Sequence, residues 1–67
     1  MDISARNQLR GKVSSVKVDG IMAEVVVRVG DNDIVAVITK SSCERLGLKE
    51  GADATIIMKA TEVMIGR

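Results

Sequence analysis

The sequence predicts an all-β fold of five short strands, with one short helix between the third and the fourth. Three observations point there. Apolar and polar residues alternate over short runs, Gly-containing turn signals separate those runs, and only the stretch from Ser41 to Gly47 carries both a helix start and a helix stop.

The first strand spans residues 9–18. Leu9, Gly11 and Val13 share one side, and Val16 and Val18 follow after a change of phase. The two small polar residues at that change, Ser14 and Ser15, predict a β-bulge or a bend. Asp19-Gly20 then signals a turn, since Gly accepts positive φ and Asp bonds its own backbone. In the second strand, residues 21–29, Ala23, Val25, Val27 and Val29 lie on one face, with Met22, Glu24, Val26 and Arg28 on the other. A turn at Gly30-Asp31-Asn32-Asp33 leads into the third strand, residues 34–39. That strand is apolar on both faces, which predicts cover on both sides and hence a subunit interface.

Ser41-Ser42-Cys43-Glu44 has the capping-box spacing, a Ser followed three residues later by Glu, and Gly47 sits where a helix stops. One or two helical turns fit between them. The fourth strand is expected over residues 54–60 and a fifth over residues 62–65. This order of elements matches an OB-type barrel.

Sixty-seven residues make one small domain, expected to run from 1 to 67. With no Phe, Tyr or Trp, the core must come from Val, Ile, Ala, Leu and Met. A chain this short is marginally stable by itself, and the usual staples are missing: Cys43 is the only cysteine and there is no His. Association between copies is the staple that remains, so a homo-oligomer is expected. The net charge of +1, with signs interspersed, supplies no strong field for nucleic acid or an acidic membrane. Without an apolar leader or a membrane-length run, and with a lone thiol, the reading is cytoplasmic.

Enzymatic chemistry finds no footing in these residues. No His or Tyr is present, no nucleophile has a base partner, and no carboxylate pair stands out by spacing. Cys43 reads as a packing residue and the four Met as core filler.

Anion chemistry fits better. Ser4-Ala5-Arg6 near one end and Lys59-Ala60-Thr61 near the other each set a cation beside a hydroxyl and a small residue. Hydroxyls, a guanidinium fork, an ammonium and approachable backbone N–H groups suit a tetrahedral oxyanion. A plainer reading stands beside it: alternation alone turns Lys59 outward, and Arg6 would be a rim charge paired with Asp2 or a neighbouring acid. A third segment, Thr39-Lys40-Ser41-Ser42, joins a cation to hydroxyls, although capping alone would account for Ser41.

Taken in order, Ser4-Ala5-Arg6-Asn7-Gln8-Leu9-Arg10-Gly11-Lys12-Val13, Glu24-Val25, Ile38-Thr39-Lys40-Ser41, Leu46-Gly47-Leu48-Lys49-Glu50-Gly51 and Lys59-Ala60-Thr61-Glu62-Val63-Met64-Ile65 resemble the molbindin, or Mop, family along nearly the whole chain. The resemblance implies an OB-like barrel assembled as a homohexamer, a trimer of dimers. It further implies binding of molybdate or tungstate between subunits, for molybdenum storage and homeostasis. Molybdenum would then be carried as an oxyanion and not as a bare cation, with no cofactor. One site would use Ser4, Ala5, Arg6, Lys59, Ala60 and Thr61, with Thr39 from a neighbouring chain. A second would draw on Gly20, Ile21, Lys40, Ser41 and Ser42.

Two binding modules of another class stay open. An OB-type nucleic-acid module would need stacking aromatics or a basic groove, and the composition offers neither. An AbrB-like DNA-binding dimer is echoed by Ile38-Thr39-Lys40 followed by Leu46-Gly47-Leu48-Lys49-Glu50-Gly51. It lacks the usual Pro after the strand, and the charge is poor for phosphate contacts. A structural oligomer with merely solvated cations is the third reading.

Overall fold

Gly20 and Gly30 adopt φ of 62° and 58°, the left-handed conformation that glycine enters without steric cost, and each closes a hairpin. The computed structural model describes residues 2–67. Its elements run β1 (Asn7–Asp19), β2 (Met22–Val29), β3 (Asn32–Thr39), α1 (Lys40–Arg45), β4 (Asp53–Met58) and a 3₁₀ turn (Ala60–Glu62). The strands form one antiparallel sheet in the order β3-β2-β1-β4.

The 13-residue β1 organises the sheet by serving two neighbours with its two halves. Asn7 to Lys12 pair with β4, and Lys12 to Asp19 pair with β2. Between the halves the register slips: Val13 faces Val27, whereas Ser15 faces Val26, leaving Ser14 as the extra residue of the expected bulge. The Ser14 hydroxyl donates to the Val26 carbonyl at 3.2 Å. Val13 meanwhile turns its backbone to the loop before β4, donating to Ala52 O and accepting from Gly51 N, both at 2.8 Å. Gly11 allows the close crossing, since a Cβ there would lie 2.3 Å from the Arg28 carbonyl oxygen.

The core lies on the inward face of β2. Val13, Ala23, Val25, Val27 and Cys43 are buried, ringed by Val16, Val29, Ile38, Leu48, Ala52, Ala54 and Ile56. The alternation read from β2 therefore places its faces correctly. Cys43 packs from α1, with its thiol 3.7 Å from the Leu48 carbonyl. On β3, Ile34, Ala36 and Ile38 turn partly inward, while Val35 and Val37 are 59% and 62% exposed in the single chain.

Three expectations are corrected. β4 ends at Met58 and not at residue 60, because its last ladder partner, Asn7, is the first residue of β1. The helix starts earlier than the capping-box spacing implied: Thr39, not Ser41, is the N-cap, extended at φ −70° and ψ 149°. Finally, the fifth strand over residues 62–65 is not formed among the described residues. Glu62 closes the 3₁₀ turn through its N–H to Lys59 O at 2.9 Å. Val63 is extended, with φ −90° and ψ 128°, but has no ladder partner, so the strand-like pattern is present without a strand. Met64 and Ile65 are left 93% and 95% exposed.

Candidate oxyanion sites

β1 and β4 begin and end side by side, Asn7 opposite Met58, so the segments just outside them meet. Ser4, Ala5 and Arg6 approach from one side and Lys59, Ala60 and Thr61 from the other. Together they line a shallow hollow of about 270 Å³. These six residues, drawn from opposite ends of the sequence, are thus brought together by the register of a single strand pair. Ala5 is half-buried and the other five are exposed. Among the described residues neither Arg6 nor Lys59 makes an ion pair, and the rim pairing of Arg6 with Asp2 is not formed. Two cations without a fixed counter-charge therefore face one hollow.

The backbone of both walls is tied back. The Gln8 side-chain amide donates to the Ala5 carbonyl at 3.1 Å, and the Glu62 N–H donates to the Lys59 carbonyl at 2.9 Å. Carbonyl oxygens so engaged are less available to repel an anion. The N–H groups of the next residues, Arg6 and Ala60, are held on the opposite side of the same planar peptides.

Gly20, Ile21, Thr39, Lys40 and Ser41 line a second, wider hollow of about 510 Å³ together with Glu44. The Ile21 carbonyl accepts from Lys40 N–H at 2.7 Å, which locks the β1–β2 turn against the end of β3. Thr39 lines this hollow and not the first one of its own chain. Its hydroxyl accepts from Ser42 N–H at 3.1 Å, donates to Ser42 Oγ at 2.8 Å and lies 3.3 Å from Ser41 Oγ. Arg45 reaches Ser42 Oγ at 3.4 Å. Ser42 therefore supports the wall without lining it.

Sequence reasoning missed Glu44, whose carboxylate stands 3.9 Å from Lys40 Nζ and brings a negative charge to the second hollow. The i,i+4 spacing of Lys40 and Glu44 was the signal available. It also gave Gln8 no role, since nothing in spacing foretells an amide folding back onto a carbonyl three residues earlier.

Behind the first hollow stands a small antiparallel sheet, and the cations and hydroxyl-bearing residues that line the hollow are of the kind that suits an anion. The pattern of the TOBE domain matches residues 3–65. Molybdenum-pterin-binding protein 1 of Clostridium pasteurianum is 53% identical over 66 residues, covering 97% of each chain. A molybdate-binding protein from Sporomusa ovata superposes with a TM-score of 0.94 at 34% identity, over the whole of both chains. The molybdate-bound form of the cytoplasmic molybdate-binding protein ModG gives a TM-score of 0.85 at 36% identity, covering 90% of this chain and 43% of that one. The chain belongs to the TOBE-domain family and, within it, to the molbindins.

Proposed function

We propose that this protein binds molybdate, and tungstate with it, as a cytoplasmic store that buffers molybdenum. It acts as a binder and not as an enzyme, as a single Mop domain over residues 1–67. The observation that carries this reading is the first hollow, which Ser4, Arg6, Lys59 and Thr61 line together. Support comes from relatives whose names and bound ligand are those of molybdate or molybdenum-pterin binders.

The chemistry agrees. Molybdate and tungstate are close in size and charge, so N–H and O–H donors separate them poorly. Sulfate is smaller and leaves part of a rigid donor set unpaired, which is costly. The sites are proposed to be completed between subunits of a homohexamer, a trimer of dimers, with Thr39 of a neighbouring chain joining the first. Gly20, Ile21, Lys40, Ser41 and Ser42 would form the second. Exposed Val35, Val37, Met64 and Ile65 favour assembly, being apolar surface that a second copy would remove from water.

Calorimetric titration of the purified protein with molybdate, tungstate and sulfate tests the ligand, and sedimentation velocity tests the assembly. Tight binding of the first two, weak binding of sulfate and a hexameric mass are expected. Equal affinity for sulfate would defeat the specific site, and a folded monomer at micromolar concentration would defeat the interfacial one. An electrophoretic shift with duplex DNA at low salt would instead favour the nucleic-acid alternatives.

A further inference from the structure

We propose that Gln8 is a positioning residue for the first oxyanion site, acting through the Ala5 carbonyl on the Ser4-Ala5-Arg6 wall. The inference rests on the reading of that hollow as an oxyanion site and adds a residue that lies outside its lining.

The two walls are built differently. The Lys59 carbonyl is held by a backbone N–H inside the 3₁₀ turn, so that wall carries its own restraint. The other wall precedes β1 and, among the described residues, has only a bend at Ser4. It is tied by a side chain: Gln8 Nε2 donates to Ala5 O at 3.1 Å, spanning three residues. Gln8 itself stands on rigid ground, paired in the β1–β4 ladder opposite Ile57. A strand residue therefore reaches back and anchors the segment in front of it.

What this restraint does follows from peptide geometry. The Ala5 carbonyl and the Arg6 N–H belong to one planar unit and point in opposite directions, so fixing the first fixes the second. The bond also occupies an acceptor which, left free to rotate toward the hollow, would oppose an incoming dianion. Finally, it restricts the backbone from which the Arg6 side chain departs, so less conformational freedom is lost when the anion binds. A glutamine suits this task because its amide donates at neutral pH without adding charge beside Arg6.

The test replaces Gln8 with methionine, which keeps the length and removes the donor. Molybdate affinity is expected to fall about three- to tenfold, the range of one neutral hydrogen bond. The unfolding temperature without ligand should stay unchanged, because the bond is at the exposed surface. A merely structural role would show the reverse. The decisive readout is a double-mutant cycle with Arg6→Ala: if Gln8 works through the Ala5–Arg6 segment, Gln8→Met costs less once the Arg6 side chain is gone. Undiminished affinity in Gln8→Met would overturn the positioning role while leaving molybdate binding by the native protein intact. Strictly additive losses in the cycle would overturn its action through the Arg6 side chain and leave the backbone of the Ala5–Arg6 peptide as its route. Failure of the native protein to bind molybdate would remove the underlying reading, and this role with it.

Discussion

The Thr39 hydroxyl and Ser42 are joined twice, by Ser42 N–H to Thr39 Oγ1 at 3.1 Å and by Thr39 Oγ1 to Ser42 Oγ at 2.8 Å. One residue thus ends β3, caps α1 and fixes the hydroxyls beside Lys40. The six-residue helix could not persist in water alone. It depends on this cap and on the burial of Cys43.

Thr39→Val keeps the shape and removes the cap, and is expected to cost about 1 kcal/mol of stability. Thr39→Ser should recover most of it. Urea denaturation of the two variants checks the difference, and equal stabilities would show that α1 is held by Cys43 packing alone.

Gly11 and Gly20 are required for opposite reasons. A Cβ at Gly11 collides with the Arg28 carbonyl and with Val27 and Val29 side chains, whereas one at Gly20 meets nothing but has to accept φ of 62°. Gly11→Ala is expected to cost about 1–3 kcal/mol through displaced backbone, and Gly20→Ala about 1 kcal/mol through left-handed strain. Thermal unfolding should rank Gly11→Ala well below Gly20→Ala, and the reverse order would mean that β1 yields where it crosses β2.

The contrast between those glycines indicates which features the sequence could reveal. Turns and strand faces were legible because they rest on local rules: Gly after Asp19, Val every second residue from Val25, two serines at the bulge. The end segments were legible as two stretches of matching chemistry, and the Asn7–Met58 register explains why they meet. Residues 62–65 misled because alternation reports a tendency to extend and says nothing of a partner. The helix start misled because Ser41 and Thr39 are both competent caps, and the choice was made by the end of β3. Gln8 and Glu44 stayed hidden, their roles being set by where side chains fold back.

Among the described residues Lys12 and Asp53 form the closest ion pair, Nζ to Oδ1 at 2.6 Å, across the β1–β4 ladder. The hydrogen bond from Lys12, together with its positive charge, lowers the Asp53 pKa below the ordinary value of 3.8. With the folded-state pKa depressed, the stabilisation is present above the unfolded value and is lost as pH falls through the folded one. Both groups are largely exposed, so the effect is small and screened by salt. Asp53→Asn should lower stability slightly at neutral pH and low salt and leave it unchanged in strong acid, which flattens the loss below pH ~4, as chemical denaturation from neutral to acid pH would show.

Arg6→Ala and Lys59→Ala are each expected to weaken molybdate binding by roughly 2–4 kcal/mol, since each removes a charge-assisted partner of an anion with two charges. Neither side chain is buried in the single chain, so circular dichroism should be unchanged in both. Titration gives the affinity, and native binding in both variants would move the site elsewhere, with the second hollow and its Lys40 next in line.

The proposed interfacial position links ligand to assembly. An oxyanion held between subunits binds the assembled state and neither the separated nor the unfolded chain. At a hundredfold excess over its dissociation constant, molybdate should then add about 2.7 kcal/mol per independent site and raise the melting temperature. Any salt also relieves repulsion between Arg6 and Lys59, so sulfate at equal ionic strength is the necessary control. If the cations are merely solvated surface charges, both anions shift the melting temperature alike. The interfacial site requires a larger shift with molybdate, accompanied by dissociation into subunits at a higher protein concentration when the ligand is withdrawn. A molybdate shift no greater than that of sulfate would leave the fold and the family intact and take the specific site away.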